Sequence, residues 1–121
     1  MTPDIREVRK VLFLCHLNRV RSATAERLFC KRPDLDVRSA GVSSDAMVRV
    51  NARMLDWADV IITMDESQRL ALEQMFPRHA ALSRLVCLQI PDDYTFLQPE
   101  LVALLEARVA PLVQHPQPNS R

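Results

Sequence analysis

The stretch KVLFLCHLNRVRSATAERLF (10–29) joins two patterns. Its start, KVLFL, is a continuous apolar run, as expected of a strand buried on both faces. Its end, SATAERLF, is rich in helix formers, and Ala25, Leu28 and Phe29 fall on one helical face. Between them lies CHLNRVRS (15–22), which carries two arginines and a histidine but neither glycine nor proline. A strand, a short polar loop and a helix in that order begin an α/β unit. A cysteine ends the strand, and an arginine and a serine open the helix.

The same alternation continues outward. LDVRSA (35–40), DVIITM (59–64) and RLVCLQI (84–90) read as further strands. The first helix is expected over SATAERLFCKR (22–32), followed by VRVNARMLDWA (48–58) and DESQRLALEQMF (65–76). The acids opening the third suit the positive end of a helix. PELVALLEARVAPLV (99–113) reads as the last helix, with Pro99 in its first turn. Apolar strands each followed by a helix predict a three-layer α/β fold. A four-stranded parallel sheet carries helices on both faces. The expectation is a single domain over 1–121, with flexible ends at about 1–8 and 114–121. In such sheets ligands sit at the carboxyl ends of the strands, where CHLNRVRS falls.

Composition narrows the chemistry. Sixteen basic and fifteen acidic side chains leave a net charge of +1, which argues against a nucleic-acid surface. The chain has no run long enough to span a membrane, and MTPDIREVRK is too polar for a signal peptide. The expected compartment is the cytoplasm. The three cysteines (Cys15, Cys30, Cys87) form no C-x-x-C pair, and the histidines are scattered, so the reading includes no metal or other cofactor. A single glycine, Gly41, excludes Walker and dinucleotide-binding loops.

The loop itself suits an oxyanion. A helix starting near Arg21 points free amides and its positive end at the loop, which can wrap as a nest. Arg21 adds a planar fork that grips two oxygens. Cys15, on the floor, would feel that positive potential, which favours the nucleophilic thiolate. Ser22 would donate to the sulfur, or act as a plain helix cap. A general acid is available in PDDY (91–94), as Asp92 or Asp93, with Tyr94 as an aromatic wall. Blander readings also fit: Cys15 as a small core residue, PDD as a turn. Cys30 and Cys87 are read as structural.

The chain resembles the low-molecular-weight protein tyrosine phosphatases in four places in order: VLFLCHLNRVRSATAERLF (11–29), RSAG (38–41), ADVIITMDES (58–67) and PDDY (91–94). It is most similar to a bacterial group of short predicted phosphatases with the same PDDY ending. The resemblance implies a cysteine-dependent phosphomonoesterase, acting through a phosphocysteine intermediate on Cys15. Its substrate would be a phosphorylated protein or a small aryl phosphate. Arg21 would bind phosphate and stabilise the transition state. Asn18, Ser22 and Ser39 would support the loop, and His16, Leu17, Arg19 and Val20 would complete the cradle. Asp92 would be the acid, with Asp93 in place of the family's proline; a shift of one residue would make Asp93 the acid.

The chain departs from that family at several points. Leu17 replaces a loop glycine. Val20 replaces a second cysteine, so the family's protective disulfide is not expected. Arg19 replaces an apolar residue and would favour a more acidic substrate. The segment before ADVIITMDES is short and lacks a loop-bracing histidine. A phosphate-binding module without turnover is the alternative reading. Arsenate reduction on the same fold is a poor fit, because it needs two further cysteines close together.

Overall fold

A computed structural model describes residues 8–113. Apart from Val8, the termini expected to be flexible (1–8 and 114–121) lie outside the described residues. The elements run β1 (Arg9–Cys15), α1 (Arg21–Phe29), β2 (Leu35–Gly41), α2 (Ala52–Trp57), β3 (Val60–Thr63), α3 (Glu66–Met75), a 3-10 turn (Ala80–Arg84), β4 (Leu85–Cys87) and α4 (Pro99–Val113). All strands pair in parallel, in the order β2-β1-β3-β4. This is the three-layer α/β architecture expected from the sequence.

β1 is central, so the unbroken apolar run is buried on both sides. Val11, Phe13 and Cys15 face one cluster with Ala25 and Phe29 of α1 and Leu101, Leu105 and Val109 of α4. Leu12 and Leu14 face the other, with Leu55 of α2 and Leu72 of α3. The rings of Phe13 and Phe29 stack 5.9 Å apart, fixing α1 over the strand that precedes it. Each such side chain contributes about 1.5–3 kcal/mol on burial, and together they hold the start of α1 close to the end of β1. No described helix is long and apolar enough to cross a membrane.

Several elements are shorter than the sequence pattern implied: α1 ends at Phe29 and not at Arg32, β3 and α3 each lose a residue at both ends, and two others differ more. The helix expected over 48–58 occupies only Ala52–Trp57. Upstream, Val48 and Val50 bond to Gly41 in an extended bridge, and the Asn51 side chain caps the helix by accepting from the Met54 amide. The strand expected over 84–90 ends at Cys87. Gln89 takes a left-handed conformation (φ 59°) and breaks the ladder. Arg108 of α4 donates to the carbonyls of Leu88 and Gln89 at 2.9 and 2.8 Å, stabilising the break. The 3-10 turn was not anticipated; the His79 ring caps it by accepting from the Ala81 amide.

The one glycine of the chain sits where two backbones meet. A Cβ on Gly41 would lie 2.5 Å from the His16 carbonyl oxygen, 2.7 Å from the Ala46 Cβ and 3.0 Å from the Asn18 nitrogen. Its φ is not positive, so the requirement is for space. Gly41→Ala should force the Cys15 loop away from β2 and cost about 1–3 kcal/mol. Thermal unfolding would read this as a lowered Tm; an unchanged Tm would show that the contact is not tight.

Candidate active site

The loop after β1 is held from outside. The carbonyls of Cys15, His16 and Leu17 accept from the amides of Val42, Ser43 and Met47, each at 3.0 Å. A trans peptide is planar, with its N–H opposite its C=O. Carbonyls that point outward therefore turn the amides of His16, Leu17 and Asn18 inward. The Asn18 amide does so, lying 3.3 Å from the Cys15 sulfur. Asn18 is left-handed (φ 60°), a conformation that asparagine tolerates, and it reverses the chain. α1 then starts at Arg21 without a side-chain cap, leaving its first amides open toward the loop. The result is a nest of inward N–H groups with sulfur at its base.

Side chains brace the nest from beneath. The Asn18 amide nitrogen donates to Ser22 Oγ and Ser39 Oγ, both at 2.9 Å. Ser22 Oγ lies 3.0 Å from Cys15 Sγ and 3.3 Å from the Ala40 carbonyl. Ser22 has one proton, so it serves the sulfur or the carbonyl, depending on whether the thiol keeps its own. Ser22 is not a helix cap here. Ser39 Oγ in turn donates to Glu26 Oε1.

Arg21 is 2% exposed, so its charge needs partners. Its Nη1 donates to Asp65 Oδ2 at 2.8 Å and to the Ile90 carbonyl at 2.9 Å. The break after β4 leaves that carbonyl within reach of the guanidinium. Asp65 caps α3 in a capping box with Gln68. Burial pushes the Asp65 carboxyl up. Bonds from the Ser67 hydroxyl, Arg21, the Ser67 amide and Gln68 outweigh it and hold the group at about 2, below its ordinary 3.8. Among the described residues, Arg21 Nε is buried without a hydrogen-bond partner. It forms a long ion pair with Asp92 Oδ1 at 3.7 Å.

Cys15, His16, Leu17, Arg19, Val20, Arg21 and Asp92 line one cleft of about 140 Å³. Asn18, Ser22 and Ser39 lie buried behind it. Asp93 is exposed and outside the lining. Tyr94 packs against the α1 and α4 cluster and is not among the lining residues. Leu17 has no positive φ, so its position does not demand glycine. Sequence reasoning missed Asp65 and Glu26. Asp65 was visible only as an acid opening a helix at the same sheet edge. Glu26 lies four residues after Ser22, on the same helical face.

The Asp65 bonds carry a pH signature. A carboxylate lowered from 3.8 to about 2 adds stability that is present above about pH 4 and lost as pH falls through 2. Asp65→Asn keeps a cap but loses the charge. It should be less stable than wild type by roughly 1 kcal/mol at pH 7, allowing for partial exposure. The gap should close between pH 4 and 2 in denaturant titrations, and a gap that persists at pH 2 would contradict this origin.

No family model and no curated protein matches the chain. Solved structures do match, over nearly its whole length. A low-molecular-weight phosphotyrosine phosphatase from Vibrio cholerae is 22% identical, with 87% of this chain and 94% of that one covered and a TM-score of 0.70. The tyrosine phosphatase Wzb from Escherichia coli, solved with phosphate, is 19% identical, with 88% and 97% covered and a TM-score of 0.73. The arginine phosphatase YwlE from Geobacillus stearothermophilus is 19% identical, with 90% and 99% covered and a TM-score of 0.63. With a four-stranded parallel sheet and the Cys15 loop after its first strand, the chain has the fold of the low-molecular-weight protein tyrosine phosphatases.

Proposed function

We propose that the protein is a cysteine-dependent phosphomonoesterase acting on phosphotyrosine, in a protein or as a small aryl phosphate. The observation that carries this reading is Arg21 Nε, a buried cationic donor with no hydrogen-bond partner among the described residues, bordering a cleft floored by Cys15. A buried donor without an acceptor is costly, and a tetrahedral dianion in the cleft supplies one. The inward amides of the nest take the other phosphoryl oxygens.

The chemistry follows from this placement. The Cys15 thiolate attacks phosphorus opposite the ester oxygen. The S–P bond forms as the P–O bond breaks, and Asp92 gives its proton to the leaving oxygen. Water then attacks the phosphocysteine, Asp92 takes the water's proton, and the S–P bond breaks to return the thiolate. Ser22 donates to the sulfur at both ends of the cycle. Arg21 and the amides hold the charge on the transferring group, where most of the catalysis of such a loose transition state resides. Leu17 in place of glycine does not remove the nest, and a nucleophile and an acid, Cys15 and Asp92, line the same cleft, which supports turnover over mere binding.

Arg19 is exposed and lines the cleft mouth. A second cation there opposes a guanidinium leaving group, as in phosphoarginine, and favours phosphotyrosine flanked by acids. Peptides with glutamates beside the phosphotyrosine should therefore be preferred to those with lysines. Arg19→Ala should shrink that preference several-fold, and an undiminished preference would exclude Arg19 as its source.

The direct test is hydrolysis of para-nitrophenyl phosphate in reducing buffer with EDTA. Wild type should turn over, and Cys15→Ser should not while still binding phosphate. A folded wild type without turnover would sink the proposal. Asp92→Ala should slow esters of poor leaving groups by about 10²–10⁴ and good ones much less. That pattern appearing in Asp93→Ala instead would reassign the acid.

A further inference from the structure

One polar side chain braces the loop from outside the cleft. Glu26 projects from α1 between the loop support and a surface hollow lined by Ala23, Arg27 and Cys30. Its Oε1 accepts the Ser39 proton. A hydroxyl has one proton, so Ser39 must offer a lone pair to Asn18, whose amide nitrogen lies 2.9 Å away. That contact fixes which end of the Asn18 amide faces the two serines. With nitrogen facing them, Ser22 receives a proton from Asn18 and is free to send its own to Cys15 Sγ, 3.0 Å away. With the amide reversed, its oxygen would accept from both serines, and the sulfur would lose its hydroxyl donor.

We infer that Glu26 is a positioning residue for the Cys15 thiolate: by accepting from Ser39 it sets the direction of the hydrogen-bond chain Ser39–Asn18–Ser22 that ends on the sulfur. The inference deepens the phosphatase reading and rests on it for its functional meaning, but the chain of bonds exists whether or not the protein turns over substrate. Glu26 touches neither the cleft nor the sulfur. The ionisable side chains that line the cleft with Cys15 are His16, Arg19 and Arg21 of the loop and Asp92 beyond β4. None of these is altered by changing Glu26. Beside Glu26, the hollow is lined by Arg27 of α1 and by Cys30, the residue that follows the helix.

The experiment is the pH dependence of Cys15 alkylation by iodoacetamide, read on the Cys15 peptide by mass spectrometry because the exposed Cys30 and half-buried Cys87 also react. Glu26→Leu removes the acceptor and should raise the alkylation midpoint by about one pH unit, about tenfold less thiolate at a fixed pH below it. Glu26→Gln keeps a carbonyl acceptor for Ser39 and should restore the wild-type midpoint. Ser39→Ala cuts the same link from β2 and should shift the midpoint in the same direction, giving a second route if Glu26→Leu does not fold. The double variant should shift no further than Glu26→Leu alone, since both act on one chain. An unchanged midpoint in folded Glu26→Leu or Ser39→Ala would overturn the inference, as would an equal shift in Glu26→Gln. Loss of para-nitrophenyl phosphate turnover by the wild type would instead strike the phosphatase reading, and the alkylation profile would stand apart from it.

Discussion

The structure is organised around one buried cation. A guanidinium that is almost entirely out of water must be met by oxygen, and Arg21 is met from two other strand ends. Asp65 comes from the exit of β3, and the Ile90 carbonyl from the exit of β4. Asp92 approaches from the segment just beyond. These requirements explain features that look unrelated along the chain. α3 opens on an aspartate because that residue serves both the helix and the arginine. β4 ends at Cys87, a left-handed Gln89 follows, and the Ile90 carbonyl just beyond it meets the guanidinium. Arg108 holds the resulting bend from α4.

The loop is the counterpart of that cation. Its carbonyls are drawn outward by the segment after β2, and its amides are left facing inward. Outward bonding shapes the nest, and side-chain bonding beneath it aims the sulfur. Asn18 belongs to both systems, through its backbone and through its side chain. This double duty explains why an asparagine takes the left-handed position of the loop, while Leu17 next to it has no positive φ and needs no glycine. The space a glycine gives is needed instead on the neighbouring strand, at Gly41.

Much of this was legible in the sequence. β1 and β3 are continuous apolar runs, and a run buried on both faces leaves an unambiguous trace. Cys15, Arg21 and Ser22 could be placed because a strand and a helix bracket them closely. The failures have a common cause. Val48 and Val50 fit a helical face, but tertiary pairing with Gly41 overrides the pattern and Asn51 begins the helix later. Gln89 looks like any polar residue in a strand, and nothing local marks it as left-handed. Asp65 lies 44 residues from Arg21, so its second role is invisible to local reading. Glu26 is close in sequence to Ser22, yet it reaches the loop only through Ser39 on another strand.

The outward bonds of the loop also bear on the order of assembly. Cys15, His16 and Leu17 are tied to Val42, Ser43 and Met47, residues that arrive only after β2 has run alongside β1. Until then those carbonyls remain in water and the amides have no fixed direction. Local helix formation in α1 cannot organise the nest by itself, and closing it carries the entropy of a long-range contact. The sheet is therefore a prerequisite for the nest in folding. Loosening of the link between β2 and α2 would free the three carbonyls and, with them, the direction of the amides, without any change in the apolar layers.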